Sequence, residues 1–191
     1  NTILDGEKKY EILLISANNV VVKGIQFLNS GYSAMNDFAS IKLVDCSNVL
    51  IENNIIRHSY FAIHVSNTTH AIIRSNKITG IPTSEQLTGN GIHLWKSKNS
   101  VIENNNVQGH RDGIYFEFVT QSQIRNNLSE KNIRYGLHFM FSNDDNYLGN
   151  TFRNNGAGVA VMYSKRVRME KNHFEENWGA SAYGILLKDI T

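Results

Sequence analysis

Three kinds of chemistry are suggested by side chains that recur at short spacing in the second half of the chain. His138 and Met140 stand two residues apart, and Met162 follows one repeat later. Imidazole and thioether are copper ligands, and thioether sulfur favours Cu(I). The run His110-Arg111-Asp112-Gly113 leads into Tyr115 and Glu117. Asp112 and Glu117 could serve acid/base cleavage of a glycan, provided both face one groove. His93, Trp95, Tyr115 and Glu117, with Arg111 and Asp112, also make the kind of aromatic and charged set that partners contact. Each pattern has a plainer reading: a hydrogen-bonded surface His, a Met packed under a loop, an Arg111–Asp112 ion pair at a corner.

Composition narrows the classes. The 191 residues suffice for one domain with a sizeable core, and residues 1–191 are read as one. Nineteen Lys and Arg against 17 Asp and Glu leave a net charge of +2, which argues against a nucleic-acid binder or a polybasic membrane patch. No apolar run approaches the roughly 18 residues of a spanning helix, so no direct membrane span is expected. No glycine-rich phosphate loop appears, so the chain is not expected to bind ATP. One cysteine, Cys46, excludes an internal disulfide. The opening residues Asn1 to Gly6 do not resemble an export signal and read as the middle of a fold, so the chain is expected to be a fragment of a longer β-helix protein.

The elements that must position these residues are visible as a repeat. The phrase apolar-x-x-Asn-x-apolar recurs with Asn54, Asn76, Asn105, Asn127, Asn150 and Asn172, at steps of 22, 29, 22, 23 and 22 residues. A second phrase alternates apolar residues from Ile41, Ile63, Ile92, Ile114, Leu137, Val159 and Ile185. Each segment is short and rich in β-branched and aromatic residues, which is strand patterning. Short strands at a fixed period with no crossover helix predict an all-β solenoid, a right-handed single-stranded parallel β-helix with coils of about 22 residues. The 25 Asn against a single Pro fit a chain whose turns stack. The recurring Asn are predicted to form an aligned structural ladder. Longer steps place three loops: Gly31 to Ala39, Ile81 to Thr88, and Asn177 to Ala180.

Strand alternation then assigns sides. With Ile63, Ile92, Ile114, Leu137, Val159 and Ile185 inward, one outward column reads His64, His93, Tyr115, His138, Ala160, Leu186. The next reads Ser66, Trp95, Glu117, Met140, Met162, Lys188. A solvated sheet would favour Thr, Lys and Glu, so this face is predicted to bind something. His138, Met140 and Met162 are the candidate metal ligands. His93, Trp95, Tyr115, Glu117, Arg111 and Asp112 are the candidate partner contacts.

The phrases Gly89-Asn90-Gly91-Ile92-His93-Leu94-Trp95, His110-Arg111-Asp112-Gly113-Ile114-Tyr115 and Arg134-Tyr135-Gly136-Leu137-His138-Phe139-Met140, then Val161-Met162-Tyr163-Ser164 and Tyr183-Gly184-Ile185-Leu186-Leu187, closely resemble the NosD family. The resemblance covers nearly the whole chain and is strongest from Gly89 to Lys188. It implies a periplasmic, non-enzymatic accessory protein for copper-centre assembly of nitrous oxide reductase; transient Cu(I) binding is expected from the His and Met side chains of the outward face. The partners it implies are ABC transporter subunits, a copper chaperone lipoprotein and the reductase. The family belongs to a wider carbohydrate-binding and sugar-hydrolase group of β-helices, so a polysaccharide-binding or polysaccharide-cleaving protein is the alternative. The resemblance does not carry over metal ligands; those rest on the side-chain chemistry above.

Overall fold

The structure, a computed structural model, describes residues 2–33, 36–179 and 183–191. Among these, every regular element is a strand, and all strand pairs are parallel. Each coil contributes three short strands, as in Ile92–Trp95, Val101–Glu103 and Asn106–Gln108. Successive coils stack these into two eight-stranded sheets and one seven-stranded sheet. This is the expected parallel β-helix. Parts of two expected loops, residues 34–35 and Ala180 with 181–182, lie outside the described residues.

The solenoid exists because one coil cannot bury its own apolar residues, whereas stacked coils bury a continuous column. In the sheet carrying His138, Ile63, Ile92, Ile114, Leu137 and Val159 pair in register and are fully buried. In the seven-stranded sheet, Ile51, Ile73, Ile102, Ile124 and Tyr147 do the same. The third column, Phe27, Ile56, Ile78, Val107, Ser129 and Phe152, is interrupted by one polar residue. Ser129 is satisfied there by donating Oγ–H to the Gly136 carbonyl at 2.7 Å.

The turns explain the paired asparagines. Within Asn53-Asn54, Asn104-Asn105 and Asn126-Asn127, the first residue takes the left-handed conformation, with φ near 55° in each. The second enters the ladder. Asn105 donates both its backbone N–H and its Nδ2–H to Asn127 Oδ1 at 3.0 Å, and Asn127 repeats the pattern on Asn150 at 2.9 Å. Each side-chain amide thus replaces hydrogen bonds that the turning backbone cannot make with itself. A second, shorter ladder joins Asn132, Asn155 and Asn177. Cys46 packs in a small-residue column, its Sγ 3.5 Å from Thr68 Oγ1.

Candidate functional site

The outward columns fall in the predicted register. His64, His93, Tyr115, His138 and Ala160 are neighbours on consecutive strands, as are Ser66, Trp95, Glu117, Met140 and Met162. The first column is not an open surface, however. His64, His93, Tyr115 and His138 are each less than a tenth exposed. Their rings touch in series, with centroids 4.9, 4.7 and 4.6 Å apart from His64 to His138: edge to face between the two histidines, tilted between His93 and Tyr115, and stacked between Tyr115 and His138. Phe61 closes one end of the file and Tyr135 the other. The coil spacing of about 4.8 Å suits ring stacking, and rings so stacked shield each other from water.

Burial disfavours the charged form of His64, His93 and His110. Desolvation pushes His64 down to about 4, against the opposing pull of the Asp37 carboxylate. It holds His93 well below the usual histidine range, with His64, Arg111 and His138 adding to the effect. His110, fully enclosed behind the file, is likewise pushed down to about 4 by burial. The Tyr115 hydroxyl is raised by burial and by Glu117. At neutral pH the file is therefore uncharged at His64 and His93. The His64–Asp37 approach at 3.7 Å and the His93–Glu117 approach at 3.9 Å are then not ion pairs.

The three candidate metal ligands share one cleft. His138, Met140 and Met162 line a volume of about 440 Å³ with Glu85, Arg134 and Tyr135. Met140 and Met162 are directly paired, and His138 lies two residues from Met140 on the same strand. The Tyr115 hydroxyl donates to Met140 Sδ at 3.6 Å. His138 Nε2 is buried and has no hydrogen-bond partner among the described residues. One imidazole nitrogen and two thioethers form a soft donor set, which fits Cu(I) better than a hard divalent ion. Among the described residues, no group of three His, Cys, Asp or Glu side chains is placed to hold a metal ion.

The candidate partner residues divide. Trp95 and Glu117 are half-buried and line a separate cleft of about 390 Å³ with Asp37, Lys42, His64 and His93. Arg111 is half-buried beside Asn90, its Nε donating to Asn90 Oδ1 at 3.3 Å. Asp112 corrects the sequence expectation: it is fully buried and offers no surface to a partner. Its carboxylate instead meets Arg134 Nε at 3.2 Å, Tyr135 N–H at 3.3 Å and His138 Nδ1 at 3.4 Å. The same placement removes the glycan-cleaving pair. Asp112 is enclosed while Glu117 faces the other cleft, so the two carboxylates do not share a groove.

Sequence reasoning missed Glu85, Arg134 and Tyr135. Arg134 stands just before the strand that carries His138 and Tyr135 opens it, and their spacing to His138 was a readable signal. Glu85 arrives from the Ile81 to Thr88 loop, whose position the break in the period marks but whose side-chain placement it does not. Beside the cleft, Phe118, Phe141 and Tyr163 form an exposed stack at 5.1 Å spacing, each at φ just above 50°. Left-handed backbone is unusual for bulky side chains.

A family described as periplasmic copper-binding protein (NosD) matches residues 79–191. The probable ABC transporter binding protein NosD of Pseudomonas aeruginosa is 31% identical over 112 residues, which is 58% of this chain and 26% of that protein. A protein of the same description from Stutzerimonas stutzeri is 32% identical over 114 residues, again 58% and 26%. The chain's matching part thus spans about a quarter of the length of these curated relatives. Among solved structures, the periplasmic alginate epimerase AlgG superposes with a TM-score of 0.67 at 11% identity, over 90% of this chain and 50% of that one. At that identity the likeness is one of fold alone.

Proposed function

The chain belongs to the NosD family of periplasmic copper-binding proteins, and from that premise we propose that it holds Cu(I) transiently at His138, Met140 and Met162 while docking partner proteins during copper-centre assembly of nitrous oxide reductase. The observation that carries the reading is the soft donor set in one cleft, where a buried His138 Nε2, without a partner among the described residues, shares the lining with two paired methionines. Two thioethers and one imidazole nitrogen bind a monovalent soft cation without demanding a fixed geometry, which suits a site that must also release its cargo. The bound ion would supply no reaction here; the chain's own work is to hold it, exclude water and present it.

Partners are proposed from the same family membership: ABC transporter subunits, a copper chaperone lipoprotein and the reductase. Trp95 and Glu117, half-buried in the neighbouring cleft, are the available contacts on this face, with His93 and Tyr115 packed behind them and Arg111 beside Asn90. The test is Cu(I) competition against a chromogenic chelator. His138→Ala, Met140→Ala and Met162→Ala combined should weaken binding at least a hundredfold. A triple variant that competes as well as the parent removes the ligand assignment.

A further inference from the structure

His138 can offer Nε2 to a metal only when its own proton sits on Nδ1. A neutral imidazole carries one N–H, and the partner of one nitrogen decides the state of the other. In this structure Nδ1 faces two partners of opposite kind. Asp112 Oδ2, 3.4 Å away, can only accept, because a carboxylate has no proton to give. Arg134 Nη2, 3.3 Å away, can only donate. Both contacts cannot be hydrogen bonds in the same molecule. With the proton on Nδ1, the ring donates to Asp112 and Nε2 presents its lone pair. With the proton on Nε2, Nδ1 accepts from Arg134 and the metal-facing nitrogen is closed.

Among the described residues Nε2 has no partner of its own, so the two groups at Nδ1 are the ones seen to bias the choice. The two competitors are also tied to each other. Arg134 Nη2 donates to Asp112 Oδ2 at 3.3 Å, so the guanidinium spans the carboxylate and the imidazole together. Asp112 is fully enclosed and cannot turn to solvent, whereas the Arg134 side chain is 30% exposed at the cleft. The guanidinium is therefore the member free to shift.

We propose that Asp112 and Arg134 form a tautomer selector for His138. Asp112 is the positioning residue that turns the imidazole into a ligand, and Arg134 is the group that withholds it. The inference rests on the reading of His138 as a soft-metal ligand. Selection by a carboxylate on the far nitrogen is the usual way a protein orients a ligating histidine. The unusual feature is the cation competing for the same nitrogen.

The test uses protein with 15N-labelled histidine and 13C-methyl-labelled methionine, and Ag(I) as a redox-inert soft probe. Long-range 1H–15N correlation distinguishes Nδ1–H from Nε2–H at His138 in the parent, Arg134→Leu, Arg134→Lys and Asp112→Asn proteins. Arg134→Leu should move His138 toward Nδ1–H and tighten Ag(I) binding by the inverse of the competent fraction, about tenfold if one molecule in ten is competent. Arg134→Lys keeps the charge but loses the fork, and should move the tautomer in the same direction. Asp112→Asn should move it toward Nε2–H and weaken Ag(I) about 10- to 100-fold. A tautomer unchanged across the two Arg134 variants overturns the selector, even if Asp112→Asn is too unstable to study. Ag(I) that leaves the parent's His138, Met140 and Met162 signals unmoved refutes the ligand reading itself. Ag(I) binding with an invariant tautomer refutes the selector alone.

Discussion

Replacing Asp145 by Ser should make stability less dependent on pH, and the size of the effect follows from its place in a turn. Asp145 is fully buried in a column where the two preceding coils carry serines. Ser100 N–H donates to Ser122 Oγ at 3.0 Å, and Ser122 N–H donates to Asp145 Oδ1 at 2.8 Å. Asp145 Oδ2 has no hydrogen-bond partner among the described residues. Burial pushes its carboxyl up to about 8, opposed by the Ser122 hydrogen bond and reinforced by the neighbouring Asp144. The folded state therefore binds a proton that the unfolded chain, with its carboxyl near 3.9, releases. This stabilising contribution is fully present below about pH 4 and is lost as pH rises toward about 8. The slope is about 1.4 kcal/mol per pH unit, or about 3 kcal/mol between pH 5 and pH 7, and local relaxation reduces it to about 1–3. In Asp145→Ser the hydroxyl should accept from Ser122 N–H as Ser122 does from Ser100, and nothing is left to titrate. Urea denaturation of both proteins at pH 5, 6, 7 and 8 measures the difference. The variant should gain on the parent steadily across that range. A difference constant from pH 5 to pH 8 would show that Asp145 is not protonated in the folded protein, and the burial argument would fail.

Two further substitutions test the scaffold. Asn127→Ala removes the acceptor for the backbone and side-chain amides of Asn105 and the donor to the Ile102 and Asn150 oxygens. With buried polar groups orphaned at about 1–3 kcal/mol each, destabilisation of about 2–5 kcal/mol is expected in chemical denaturation, and a loss under 0.5 would mean the ladder is not structural. Gly113→Ala would set a methyl 2.0 Å from Ser129 Oγ and 2.8 Å from the Gly136 carbonyl, so a loss of at least about 2 kcal/mol is expected; an unchanged thermal midpoint would contradict that packing.

Most of the scaffold was legible in the chain because a stacked solenoid is nearly one-dimensional. Once the period was read, residues one repeat apart became neighbours, and alternation settled their side. That is why Ile63, Ile92, Ile114, Leu137 and Val159 could be aligned, and why Met140 could be set beside Met162. The second Asn ladder was equally readable, since Asn132, Asn155 and Asn177 recur at steps of 23 and 22, but it was overshadowed by the longer one. The insertions upset the count only locally, since the ladder resumes after the 29-residue step from Asn76 to Asn105.

The site divides along the same line. That His138, Met140 and Met162 lie on one face follows from strand register, which the repeat encodes. That the histidine column is shielded, that Asp112 turns inward beneath His138, and that Arg134 competes with it for the same nitrogen are products of the folded molecule. Those side chains sit in bends or arrive from other coils, where no period applies and only the contacts made on stacking settle which way a group points.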